Sequence, residues 1–117
     1  MKRILIADDS FYQRKVLGDL VNSIGYECES VGSGEDLLER IDSSFDCIFL
    51  DLLMTGISGI EVLKELRERK NAIPVIVITA DIQDVRREEC LELGAIAFIS
   101  KIISEEEIKK VLKELFN

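Results

Sequence analysis

ILIADDS, residues Ile4–Ser10, is a short apolar run that breaks off into two acids. Four further runs of that kind follow Arg3–Ala7 along the chain: Glu27–Val31, Cys47–Leu50, Val75–Ile78 and Ala97–Ile99. Each has the length of a strand, and Val75–Ile78 is rich in β-branched side chains. Helical periods lie between them. Leu17, Leu20, Val21 and Ile24 share one face, as do Leu63 and Leu66, and again Ile108, Val111, Leu112 and Leu115. Ser33 with Asp36, and Ser104 with Glu107, are spaced as helix N-cap pairs, while Gly25 and Gly94 stand where helices should end. The alternation predicts βαβαβαβαβα, a parallel sheet covered on both faces. Asp84–Leu93 is the least amphipathic helix. Val85, Cys90, Leu91 and Leu93 make no broad stripe, so it either packs through a narrow contact or is loosely held.

The 117 residues suffice for one domain, 1–117, with one core. A net charge of −8 sets this surface against phosphates, which disfavours direct nucleic-acid or anionic-membrane binding and favours a basic patch on a protein partner. The apolar start is too short for a secretory signal and no stretch reaches membrane-spanning length, so a cytoplasmic location is expected. Cys28, Cys47 and Cys90 form no CxxC pair and histidine is missing, which argues against zinc and for reduced thiols serving as small apolar residues.

The residues that carry chemistry stand just past the strands. In an open α/β sheet, ligands bind outside the carboxyl ends of the strands, where strand order reverses. After the first run comes Asp8-Asp9, after the third Asp51, after the fourth Thr79-Ala80, after the fifth Ser100-Lys101. Each piece alone has a plain reading. Asp8-Asp9 is an acid pair at a helix start, Thr79 a strand-end hydroxyl, Lys101 a solvated cation and Asp51 a turn residue. Their joint placement at one sheet edge reverses those readings. If the first and third strands are neighbours, the three carboxylates crowd. Two unit charges about 4 Å apart repel by roughly 4 kcal/mol at an effective dielectric near 20. Either one takes a proton or a cation binds. An all-oxygen cluster suits Mg2+, which keeps waters and favours phosphate as a further ligand. Lys101 and Thr79 then offer a charge and a hydroxyl to phosphoryl oxygens, and an aspartate can serve as the nucleophile.

ILIADDS at Ile4–Ser10, FLDLLMTGISG at Phe49–Gly59, PVIVITA at Pro74–Ala80 and LGAIAFISK at Leu93–Lys101 occur in the order and spacing of the response-regulator receiver family, which the chain resembles from Arg3 to about Leu115. The resemblance implies the CheY-like, flavodoxin-like (βα)5 three-layer fold with strand order 2-1-3-4-5. It implies Asp51 as phosphoacceptor, Mg2+ held directly by Asp9, Asp51 and the Leu53 main-chain carbonyl, and Asp8 acting through water. It implies Thr79 and Lys101 on the phosphoryl group and Phe98 as the aromatic that turns inward as Thr79 moves. The phosphoryl group would come from a histidine kinase or phosphotransfer protein, and an altered α4-β5-α5 surface would act on a downstream protein. Such a protein is no turnover enzyme. It catalyses only its own aspartyl phosphorylation and dephosphorylation. Two positions depart from the family pattern, each usually proline: Thr55 after Met54, and Ile102 after Lys101. The second leaves the isomer of the Lys101–Ile102 peptide open, since cis costs about 3–4 kcal/mol before a non-proline residue. Attacking water would pass the residues two beyond Asp51 and Thr79, which are Leu53 and Asp81. An apolar Leu53 implies slow phosphate loss and a separate phosphatase or reversing kinase.

Rival readings each demand a feature that is different here. A flavodoxin-like cofactor carrier needs a hydroxyl- and glycine-rich loop after the first strand, where Asp8-Asp9-Ser10-Phe11 stands. An aspartyl-phosphate phosphatase needs an acid two residues past its nucleophile, where Leu53 stands. A scaffold receiver that never sees phosphate would not need all five site side chains. No DNA-binding segment follows Leu115. The chain is therefore expected either to act alone through protein contacts or to be one domain of a longer regulator or hybrid kinase.

Overall fold

The computed structural model describes residues 1–80 and 84–117. Its elements are β1 (Arg3–Ala7), α1 (Phe11–Ile24), β2 (Glu27–Val31), α2 (Gly34–Arg40), β3 (Cys47–Leu50), α3 (Gly59–Glu68), β4 (Val75–Thr79), α4 (Asp84–Glu92), β5 (Ala97–Ser100) and α5 (Glu105–Phe116). The strands form one parallel sheet in the order β2-β1-β3-β4-β5. All five expected strands are present, with β4 and β5 each one residue longer than their apolar runs. The parallel ladder continues through the Thr79↔Ser100 pair, so polarity does not end either strand.

Period-two alternation along the central strands sorts their side chains into two cores. Leu5, Ala7, Ile48, Leu50, Val75 and Val77 face a layer closed by Leu37 of α2, Leu63 and Leu66 of α3, and Cys90 of α4. Ile4, Ile6, Cys47, Phe49, Ile76 and Ile78 face the other, closed by Leu17 and Val21 of α1 and Ile108 and Leu112 of α5. Burial on both faces is why β1, β3 and β4 read as unbroken apolar runs. The edge strand β2 is only half-buried and carries Glu27 and Glu29.

Side-chain caps start the helices. The hydroxyls of Ser33 and Ser104 accept from the N–H groups of Asp36 and Glu107, as their spacing predicts. Ser10 and Ser58 do the same for Gln13 and Glu61, two caps the sequence reading did not single out. Gly25 ends α1 with a φ of 111°, a conformation that costs a side chain dearly. Among the described side chains of α4, Cys90 alone is buried. Among the described residues no helix is long and apolar enough to cross a membrane.

Candidate functional site

Register brings the predicted groups together. Ala7 pairs with Leu50 and Leu50 with Val77, so the residues just beyond these strands emerge side by side. The Asp51 N–H donates to the Ala7 carbonyl (3.0 Å), and the Lys101 N–H to the Thr79 carbonyl (2.9 Å). Asp8, Asp51 and Thr79 are buried, while Asp9 is exposed. One carboxylate oxygen from each of Asp8, Asp9 and Asp51 lies within 4.8 Å of the others.

Each acid is fixed by one backbone amide. Ser10 N–H donates to Asp8 Oδ1 (2.9 Å), Leu53 N–H to Asp51 Oδ1 (3.1 Å) and Thr55 N–H to Asp9 Oδ2 (3.1 Å). Lys101, partly buried, sets its ammonium 2.8 Å from Asp51 Oδ2 and 2.8 Å from Asp8 Oδ2. The contact with Asp51 is a hydrogen bond. The contact with Asp8 is an ion pair to its buried Oδ2. Burial pushes the Asp51 carboxyl above the ordinary range, and Asp8 adds to this, against the opposing pull of Lys101 and the Leu53 N–H. For Lys101, burial works to lower the ammonium. The contacts with Asp51 and Asp8 outweigh it and hold the group above the usual lysine value.

The donor set fits a hard divalent cation: all oxygen, from three carboxylates whose oxygens lie within 4.8 Å of one another. The geometry also answers the crowding seen in the sequence. Lys101, which alone reads as a solvated lysine, supplies part of the compensating charge from within the fold.

Packing holds the loop after β3 close. A Cβ on Gly59 would lie 2.5 Å from the Asp51 carbonyl oxygen and 2.7 Å from Leu52 Cα, so the first turn of α3 can approach only as glycine. Arg14 of α1 donates to the Asp8 carbonyl (2.8 Å), tying the helix to the acid loop. Neither Arg14 nor the three amides stood out in the sequence. Leu53 is 57% exposed at the rim of the site, and Phe98, half-buried, packs toward the α2–α4 layer. Every peptide bond among the described residues is trans, Lys101–Ile102 included. Asp81, the second expected neighbour of attacking water, lies outside the described residues.

A family model described as the response regulator receiver domain matches residues 4–113. A hybrid signal transduction histidine kinase L of Dictyostelium discoideum is 35% identical over 96% of this chain and 7% of its own length. A CpxR homolog of Haemophilus influenzae, described as a transcriptional regulatory protein, is 31% identical over 98% of this chain and 50% of its own. The chain thus spans half or less of these curated relatives. Among solved structures, the response regulator protein TrrA of Thermotoga maritima, in complex with Mg(2+)-BeF, is 32% identical with a TM-score of 0.88, covering 99% of this chain and 100% of that one. The Vibrio cholerae chemotaxis protein CheY4 is 25% identical at a TM-score of 0.88, with 99% of each chain covered.

Proposed function

The chain belongs to the response regulator receiver domain family of two-component signalling, and on that premise we propose that it accepts a phosphoryl group on Asp51. The donor is the phosphohistidine of a histidine kinase or phosphotransfer protein. An Asp51 oxygen bonds to phosphorus as the phosphorus–nitrogen bond of the donor imidazole breaks. The observation that carries this reading is the state of Asp51. It is a buried carboxylate at a strand end, oriented by the Leu53 N–H and Lys101, beside two further acids.

Asp9, Asp51 and the Leu53 carbonyl would hold Mg2+, with Asp8 reaching it through water. When bound, the ion neutralises charge on the phosphoryl oxygens. Lys101 already sits against Asp51 and can follow an oxygen of the new phosphoryl group, while Thr79, buried at the end of β4, offers its hydroxyl. Movement of Thr79 frees space for Phe98 and alters the α4-β5-α5 face, which acts on a downstream protein. Among the described side chains of α4 only Cys90 is buried, which supports low-cost movement there. Residues 1–117 act as one cytoplasmic receiver, without turnover chemistry beyond their own phosphorylation and dephosphorylation. The lengths of the curated relatives favour a second arrangement as well, in which the same domain serves inside a longer regulator or hybrid kinase.

The test is mass spectrometry after incubation with acetyl phosphate and Mg2+. One phosphoryl group should map to Asp51 and be lost in Asp51→Asn. A phosphoryl group retained by that variant on any other residue would show that the acceptor is wrong.

A further inference from the structure

The backbone at the two adjacent acids is held from both sides. β1 pairs with β2 as far as Ala7 and Val31, and one step on, the Asp8 N–H donates to the Val31 carbonyl (3.2 Å). The Asp8 carbonyl lies past that ladder and accepts from a side chain, Arg14 Nη1 of α1, at 2.8 Å. The guanidinium is itself seated. Its carbon lies 5.7 Å from the Phe11 ring centroid, within reach of a cation–π contact. A Cβ on Gly32 would come within 3.2 Å of Nη1, which places the group between the acid loop and the loop after β2. Arg14 is half-buried and has no part in the proposed phosphoryl transfer.

The carbonyl that Arg14 holds belongs to the Asp8–Asp9 peptide. Rotation of that planar unit changes ψ of Asp8 and φ of Asp9 together, and so re-aims both carboxylates. Asp8 has further restraints, being buried against Lys101 and bonded by the Ser10 N–H. Asp9 is exposed, and the direction in which its side chain leaves the backbone follows from the peptide before it. We propose that Arg14 is a positioning residue for the metal site. Its bond to the Asp8 carbonyl fixes the Asp8–Asp9 peptide so that both acids face the cluster before an ion arrives. The inference rests on the proposed Mg2+ site. Arg14 acts on the backbone, so the requirement is for a charged donor of sufficient reach, with no contact to the ion. Charge alone predicts the opposite effect. A cation near the site repels Mg2+, so its removal would by itself strengthen binding. Loss of one positioning hydrogen bond weakens binding by about 3- to 10-fold.

Magnesium titration by calorimetry on wild type, Arg14→Met and Arg14→Lys tests this, with a thermal melt of each in EDTA to establish folding. Arg14→Met keeps an apolar stem without donors. It should melt cooperatively and bind about 3- to 10-fold more weakly. Arg14→Lys restores one charged donor and should recover most of the loss. Phosphoryl uptake from acetyl phosphate should need correspondingly more magnesium in Arg14→Met and approach the wild-type rate once magnesium saturates. Equal or tighter binding by a folded Arg14→Met overturns the proposal and leaves the metal site standing. So does an Arg14→Lys no better than Arg14→Met, or a rate that stays low at saturating magnesium. Failure of wild type itself to bind magnesium overturns the metal site and this inference with it. Should Arg14→Met not fold, NMR of the Arg14 guanidinium in wild type decides. Its rotation should be hindered, and its signals should shift in step with magnesium binding. Free rotation, or signals that ignore magnesium, overturn the proposal.

Discussion

Replacing Lys101 with methionine keeps most of the stem and removes the charge that two buried carboxylates share. Its ammonium lies 2.8 Å from an oxygen of each. At an effective dielectric near 20, each contact is worth about 6 kcal/mol of Coulomb attraction before desolvation is charged against it. Desolvation removes much of this, and Lys101 itself is 18% exposed, so solvent screens part of the remainder. Stripping one partner from a buried pair typically costs about 3–5 kcal/mol, and the exposure places this case near the lower end, at about 3 kcal/mol. That is a large fraction of the roughly 5–15 kcal/mol that holds a domain folded.

The loss should depend on pH, with a definite sign. The folded-state pKa of Asp51 is raised by burial first. The folded state therefore holds the proton more readily than the unfolded chain. Stability falls as pH rises from the ordinary aspartate value, near about 3.9, through the raised folded value. Without Lys101, the burial and the neighbouring Asp8 persist while the chief opposing pull is gone, so the penalty above that window grows. Urea unfolding of wild type and Lys101→Met in EDTA should show a gap of about 3 kcal/mol at about pH 7.5 that narrows toward about pH 4.5. Added Mg2+ should narrow it at the higher pH. A gap under about 0.5 kcal/mol at about pH 7.5, or one equally large at both values, would refute Lys101 as the resident counter-charge.

Gly59→Ala should destabilise by about 2–3 kcal/mol in urea unfolding and slow phosphoryl uptake, because the added methyl meets the Asp51 carbonyl and Leu52 Cα, neither of which can rotate away. Leu53→Asn should shorten the phosphoaspartate lifetime after a small donor is removed, since the exposed leucine offers attacking water no hydrogen bond. Equal or slower decay in the variant would contradict shielding by Leu53. In the native protein a thiol reagent should modify Cys28 alone. Burial pushes Cys47 up to about 12 and closes Cys90 off, so those two should react only at the rate of unfolding.

Much of the fold was legible because the central strands are buried on both faces. Ile4–Ala7, Cys47–Leu50 and Val75–Ile78 have no solvent side to carry polar residues, so each appears as a continuous run. Signals weakened wherever burial was partial. The ends of β4 and β5 were missed by one residue each because Thr79 and Ser100 pair as backbone, and their side chains do not advertise it. Ser10 and Ser58 have the capping spacing too, to Gln13 and Glu61. Each stands in a stretch dense with site acids or glycines, where a cap is one of several roles a serine could fill.

The site divides along the same line between side chains and backbone. Asp8, Asp9, Asp51, Thr79 and Lys101 were legible because a parallel register turns position along the strand into position in space. Once Ala7, Leu50 and Val77 are neighbours, whatever the chain places next must meet at one edge. The groups that hold these side chains have no residue-type signature. The amides of Ser10, Leu53 and Thr55 would serve equally well from almost any residue, and only the fold aims them at a carboxylate. Lys101 stands between the two cases. Its identity is plain in the sequence. Its role as the ion that lets two buried acids share one edge depends on the Thr79–Lys101 backbone bond, which carries its stem back over β4. The sheet therefore does more than display the acids. The same ladder that closes the core delivers the charge that makes their crowding tolerable.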